Sequence, residues 1–412
     1  MNDLQMILTV FGLFIVITTV LNLSTRNNPI IIRNRFRVQF TVGGILIYLG
    51  KSRKSFNPKP LRKGFSYGLY ASVAMGIILF YFLLFPKLIG FIGEFIKYTI
   101  GTAPAPQPVV VPLPLIFKSS SFLPYPITYI IIALVIAIVI HEAAHAIVAL
   151  KEGVSVKSWG LGLFLLIPIA FVELDESELN SAPTKSKLNI VSAGIFANAL
   201  ASAIFFIIML ASAFLANQFL GNPIQAVAIS DIDCSICNTT ICPAKLANIE
   251  PDSIVLSINS TTITSLNQFI NILRSASIGS NLYLYLCNSR GTCWNTTLYL
   301  FAHRKDSPLT PCIGAVFNTV TAFAKNSRVQ IAQWFENLLL VLDSNINLNL
   351  SLFALNAIPL FITDGSLFMK FIYENKNSKI GRLFNLKIID IVNSIILALA
   401  MVVATYVILT LG

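Results

Sequence analysis

Charge is what this sequence most lacks: of 412 residues only 11% are Asp, Glu, Lys or Arg, while 55% are hydrophobic and the mean hydropathy is +0.76. Such a chain carries too much apolar surface for a water-soluble fold and belongs in a lipid bilayer. Histidine is scarcer still, with three in all, and cysteine is missing before residue 234 and after residue 312. Acids are missing from residues 24 to 66, where ten Lys or Arg stand, so most of the +11 net charge sits beside the first apolar run. A basic loop between two apolar runs marks a cytoplasmic segment, and this reading sets aside a nucleic-acid partner. No Lys or Arg precedes the first run, the reverse of a cleavable signal peptide. It is expected to remain as an anchor with its N-terminus outside.

Apolar runs long enough to cross the hydrocarbon, about 20 residues each, are read near 4 to 23, 67 to 92, 127 to 150, 188 to 217, 336 to 362 and 388 to 411. That predicts about six spans, the fifth diluted by Asp343 and several Asn and broken at Pro359. Alternation from the basic loop puts 93 to 126 outside, 151 to 187 inside, 218 to 335 outside, 372 to 387 inside and the C-terminus outside. The large loop from 218 carries all six cysteines (Cys234, Cys237, Cys242, Cys287, Cys293 and Cys312) and sequons at Asn238, Asn259 and Asn295. Disulfides and glycans both belong to the translocated side, so these signals agree with the charge rule. Structural disulfides are favoured over a metal at Cys234-x-x-Cys237, since no second ligand pair stands nearby.

Four segments follow: 1–66, an anchor helix and a basic segment; 67–220, a transmembrane catalytic core; 221–312, a small external domain; 313–412, a second part of the core. Residues 41 to 50 are apolar but too short to span, and suit a strand or re-entrant segment. Seven prolines in 101 to 126 predict a stiff extended connector. In the external domain the runs IVLSINS and NLYLYLC read as strands, SLNQFINILRSA as a helix, and NSRGT as a turn placing Cys287 opposite Cys293.

The chemistry gathers in Ile140-His141-Glu142-Ala143-Ala144-His145-Ala146. Spacing of i, i+4 on a helix stacks both imidazoles on one face, where they can hold one ion. Glu142, about 100° round the helix, can take a proton from an activated water. Two of only three histidines at ligand spacing around a glutamate, at a depth where each ionisable group costs at least about 2.5 kcal/mol, argue against coincidence. A catalytic zinc needs a third protein ligand. Asp364, the only acid between Asp343 and Glu374, is the candidate; Gly365 permits a sharp turn and Pro359 interrupts the helix before it. Asn356 is a candidate donor to substrate or oxyanion, with a buried helix–helix hydrogen bond as the competing role.

The element Asn356-Ala-Ile-Pro359-Leu-Phe-Ile-Thr-Asp364-Gly365 resembles the zinc-ligand element of the site-2 proteases, intramembrane zinc metalloproteases. Gly160-Leu-Gly-Leu-Phe-Leu-Leu-Ile-Pro168-Ile-Ala-Phe-Val-Glu173 resembles the family's strand-forming stretch, and Ser192-Ala-Gly194-Ile-Phe-Ala-Asn198 its small-residue helix. Thr363 stands where the family usually has Leu. The stretch from Cys242 to Ser260 resembles the PDZ domain inserted in many of these proteases, departing at Asp252, Ser253 and Ser260.

The resemblance implies an all-α polytopic core around one catalytic Zn2+ held by His141, His145 and Asp364, with Glu142 as general base. Asn356 and Asn198 become substrate or oxyanion candidates, and the GLGLFLLIPIAFVE stretch would pair with unwound substrate as an edge strand. The inserted domain would be a small α+β PDZ-like fold. The expected substrate is a transmembrane segment of a single-span protein, with a peptide as possible ligand of the PDZ-like domain. The expected place is the cell membrane, with the PDZ-like domain extracytoplasmic and the centre nearer the cytoplasmic face. Two alternatives stand beside it: a non-proteolytic membrane PDZ scaffold with a structural metal site, and an ion-coupled transporter.

Overall fold

The computed structural model describes residues 3–25, 30–32, 36–53, 60–104, 127–288, 292–305, 311–325, 328–331, 333–360, 363–374 and 386–411. The proline-rich connector expected in 101 to 126 falls almost wholly outside them. The chain divides into two compact units, one of Met1–Ile207 with Leu340–Gly412, the other of Ile208–Leu339.

In the first unit, α1 (Asp3–Ser24) is followed by β1 (Ile30–Ile32), β2 (Phe36–Thr41) and β3 (Gly44–Arg53). Next come α2 (Lys63–Leu79), a π-helical turn at Phe80–Leu84, α3 (Phe85–Thr99) and α4 (Ile127–Lys151). Then β4 (Val156–Phe164) and β5 (Ile167–Leu174) form a hairpin before α5 (Glu176–Ser181) and α6 (Thr184–Leu220). The expectation of an all-α core is corrected here, because β1 to β5 form one antiparallel sheet in chain order. The physical reason lies in the segments themselves. Neither 41–50 nor the apolar part of 156–174 is long enough as a helix to span, and once extended each satisfies its backbone groups by pairing with strands on both sides, β3 between β2 and β4 and β4 between β3 and β5. β5, paired on one side to β4, is the outer strand.

Among the described residues five helices are long and apolar enough to cross a membrane: Lys63–Thr99, Thr128–Lys151, Thr184–Leu220, Trp334–Ala357 and Lys387–Ala404. The first expected span falls in α1, whose apolar stretch Thr9–Ser24 is shorter than these. It packs on the sheet, and Thr18 Oγ1 accepts from the Gly43 amide at 3.1 Å.

The second unit begins in α6 and continues through β6 (Asn222–Asp231), α7 (Pro243–Leu246), β7 (Ser253–Ile258), β8 (Thr261–Thr262) and α8 (Leu266–Ser275). It goes on with β9 (Asn281–Cys287), β10 (Cys293–Tyr299), β11 (Ala302–His303), β12 (Pro311–Cys312), β13 (Val316–Lys325) and β14 (Arg328–Ile331). The main sheet runs β10-β9-β7-β6-β13-β14. Its core, with Val227, Ile229, Val255, Phe269, Leu284 and Leu286, closes under α8, which Ser265 caps by accepting from the Gln268 amide at 3.2 Å. The expected domain end at 312 moves outward, because β13 pairs along β6 and cannot be separated from that sheet.

All six cysteines are joined, as Cys234–Cys242, Cys237–Cys312 and Cys287–Cys293. The last pair lies in register across the β9–β10 hairpin, as its turn predicts. Asp252 (φ 62°), Asn259 (φ 46°) and Ser260 (φ 66°) take the left-handed backbone conformation beside β7. Asp and Asn tolerate it best among residues with a side chain. All three sequon asparagines are exposed.

The chain returns to the first unit through α9 (Gln333–Ala357), followed by α10 (Asp364–Glu374) and α11 (Leu386–Leu411). The fifth expected span ends at Ala357 rather than 362, two residues before Pro359, as that residue's missing N–H requires.

Candidate metal centre

α4 carries His141 and His145 one turn apart, with ring centroids 4.7 Å apart. Their Nε2 atoms lie 3.1 Å from each other, and Asp364 Oδ2 lies 2.9 Å from the first and 3.1 Å from the second. The three side chains are at most 16% exposed. The structure thus brings Asp364, 219 positions away from His145, into the imidazole pair.

The proton inventory shows what such a cluster needs. His145 Nδ1 is 2.7 Å from the backbone carbonyl of Ile190, which only accepts, so Nδ1 carries the proton. His141 Nδ1 likewise donates to Asn198 Oδ1 at 3.1 Å. Both neutral rings then turn lone pairs toward each other and toward a carboxylate. Three acceptors within 3.1 Å repel unless a cation sits among them. Their spacing is close to the edge, about 3.3 Å, of a tetrahedron with zinc-length arms. Backbone and amide partners on both Nδ1 atoms are the usual outer support of ligand histidines. The residues therefore fit zinc.

Local sequence explains the approach. Gly194 of α6 faces the rings; a Cβ there would stand 2.5 Å from His141 Cε1 and 2.6 Å from its Nε2. Only glycine leaves that room. Glu152, at the end of α4, accepts from Asn189 Nδ2 and Ser186 Oγ, both at 2.7 Å, and from the Leu61 amide at 3.1 Å. This fastens the start of α6 next to Ile190.

Asp364 is set by the break between α9 and α10. Thr363 Oγ1 donates to Ile358 O at 2.6 Å and accepts from the Leu360 amide at 3.1 Å and the Ser366 amide at 3.4 Å. It caps α10, which Leu could not do, and so gives a reason for the departure at this position. A side chain at Gly365 would run into the carbonyls of Ala357 and Ile358. The Pro359 carbonyl, inside the break, accepts from Asn393 Nδ2 of α11 at 3.0 Å.

Glu142 faces a cavity of about 410 Å³ between α4 and the sheet, lined among others by Ala143, Ala146, Trp159, Leu161 and Phe171. Among the lining residues it is the one carboxylate, and Val172 of β5 lines the same cavity. An apolar groove with one base thus meets the outer strand. The other oxyanion candidate, Asn356, lies half-buried in the last turn of α9 and its side chain makes no hydrogen bond among the described residues. Sequence reading missed the Ile190 carbonyl, which as a backbone group leaves no signature. Gly194 was singled out only within the small-residue stretch Ser192–Asn198, with no reading of its place against the histidine rings.

Two imidazoles and a carboxylate at one point, with a glutamate beside the first imidazole, form the ligand and base set of the metallopeptidase class. The chain belongs to peptidase family M50, whose family model matches residues 129–403. It is 36% identical over 162 residues to an uncharacterized protein of Methanocaldococcus jannaschii, a match covering 38% of this chain and 41% of that one. Over 78 residues it is 32% identical to a membrane-bound transcription factor site-2 protease homolog of Arabidopsis thaliana, covering 19% of this chain and 15% of that one. The matches span less than half the length of either relative.

Proposed function

We propose that this protein is a multi-pass membrane zinc metalloprotease of the site-2 type, hydrolysing peptide bonds in transmembrane segments of single-span proteins. The observation that carries the reading is the convergence of His141 Nε2, His145 Nε2 and Asp364 Oδ2 beside a cavity whose carboxylate is Glu142.

When bound, zinc supplies Lewis acidity that polarises the scissile carbonyl and lowers the pKa of water. The chain's residues do the rest. The Asn198 and Ile190 oxygens hold both ligand rings in the tautomer that leaves Nε2 free. Glu142 takes the proton of the attacking water on its carboxylate and returns it to the leaving nitrogen as the C–N bond breaks. The outer strand β5 offers an edge on which an unwound segment gains the backbone hydrogen bonds it loses on leaving the helix. The cavity receives its apolar side chains. Asn356 remains the candidate for a hydrogen bond to substrate.

The second unit is proposed as an extracytoplasmic PDZ-like domain of the cell membrane, supported by its three disulfides and its exposed sequon asparagines. The cytoplasmic side would then hold the basic loop and lie nearer the metal centre.

Glu142→Gln in the full-length protein, reconstituted with a labelled single-span segment, is expected to keep zinc and lose cleavage by about 10²- to 10⁴-fold. Cleavage at the parent rate sinks the assigned role.

A further inference from the structure

Two faces meet along α6 and α9. Ser202 Oγ donates to Ile346 O at 3.1 Å, and further along Val191 and Ile195 pack with Phe353 and Ala357. As numbers fall on α6 they rise on α9, so the helices run antiparallel. Asn198 is four residues from Ser202, and Asn349 three from Ile346, which at a rise of about 1.5 Å per residue puts them within about 2 Å of the same depth. Both lie on the faces these contacts define.

Each carries an orphan. Asn198 is fully buried and spends Oδ1 on His141, while its Nδ2 has no partner among the described residues. Asn345 and Asn349 are fully buried too. Their Nδ2 groups are spent on their own helix, on Val341 O at 2.8 Å and Asn345 O at 2.9 Å, and both Oδ1 atoms lack partners among the described residues. An unmet donor on one helix thus lies level with an unmet acceptor on the other, and a buried polar atom left unpaired is destabilising.

We propose that one buried water bridges Asn198 Nδ2 to Asn349 Oδ1, which makes Asn349 a positioning residue for the metal ligand His141. A water there gains two polar partners, within the range of two to four that buried waters make. It fixes the Asn198 amide with its oxygen toward His141 Nδ1, and so fixes the ring. Helix association alone does not account for the pattern, because the Asn345 and Asn349 donors are turned back along α9 and make no bond across the seam.

The inference rests on the metal-centre reading, and zinc affinity of the full-length protein, measured by competition with a chelator, separates the two. Asn349→Leu is expected to weaken zinc binding about tenfold, the low end of the range for outer-shell partners. Asn349→Gln retains both the acceptor and the amide donor and is expected to bind zinc more tightly than Asn349→Leu, and Asn347→Leu, at an exposed position of α9, to leave the affinity unchanged. A density map that resolves ordered water should show one within hydrogen-bond distance of Asn198 Nδ2, and this map decides the matter if Asn349→Leu does not fold. Parent-like zinc affinity in Asn349→Leu overturns the proposal, as does a dry seam with Asn198 Nδ2 turned to the substrate cleft. Failure of the parent protein itself to bind zinc overturns the metal centre instead.

Discussion

The two units solve opposite problems. In the first, apolar side chains suit the lipid and the difficulty is the polar group: every nitrogen and oxygen near His141 and His145 needs a specified partner, and Asn198, Ile190 and Asp364 supply them. In the second, polar turn residues such as Asn259 and Ser260 are exposed, and the chain is held by an apolar core and three disulfides. Order in the membrane unit is therefore carried by polar partners and in the other by apolar burial and cross-links. Substitutions that damage one kind of order should leave the other untouched.

The largest effect expected is from Asp364→Ala, which removes one of three ligands and should abolish bound zinc by metal analysis while the disulfide pattern stays complete. Zinc retained at parent level breaks the proposed ligand set. Replacing Cys237 and Cys312 together by Ser removes a link between positions 75 apart and should cost the second unit about 4 kcal/mol by loop entropy. Proteolysis within 208–339 should rise, with zinc content unchanged; loss of zinc would show that the units are not energetically separate.

A smaller effect follows from Gly194→Ala, since its Cβ would meet the histidine rings. Overpacking costs about 1–3 kcal/mol, so zinc affinity should fall by about ten- to a hundredfold, with the second unit's melting unchanged. The smallest change belongs to Asp175, half-buried at the start of α5. The Ser177 hydroxyl, then the Glu178 amide, lower its pKa from the usual 3.8 to about 2. A depressed carboxylate stabilises the fold above its unfolded pKa and loses that contribution as pH falls through the folded value. Amide exchange at Ser177 and Glu178 should therefore quicken only between about pH 4 and about pH 2, and an unchanged rate across that window removes Asp175 as the cap.

The part of the site that follows helical periodicity was legible in the chain: His141 and His145 are placed by i, i+4 spacing, and Asp364 by being a lone acid in an apolar stretch. The hairpin carrying Cys287 and Cys293 was legible for the same kind of reason, because a turn fixes its neighbours. β13 was not. Its residues VFNTVTAFAK sit beside a long apolar helix, and only pairing along β6 reveals which unit they complete. The strands β4 and β5 were foreseen by resemblance, yet their assembly with β1 to β3 into one sheet depends on residues more than a hundred positions apart.

Composition and spacing by themselves determined a membrane setting, a pair of imidazoles with a glutamate between them, and an oxidised segment confined to 234–312. Tertiary structure alone decided that the Ile190 carbonyl and Asn198 hold the rings and that Gly194 gives them room. The difference is physical: periodicity fixes neighbours along one helix, whereas partners on another helix are chosen by packing and by the cost of leaving a buried polar atom unpaired.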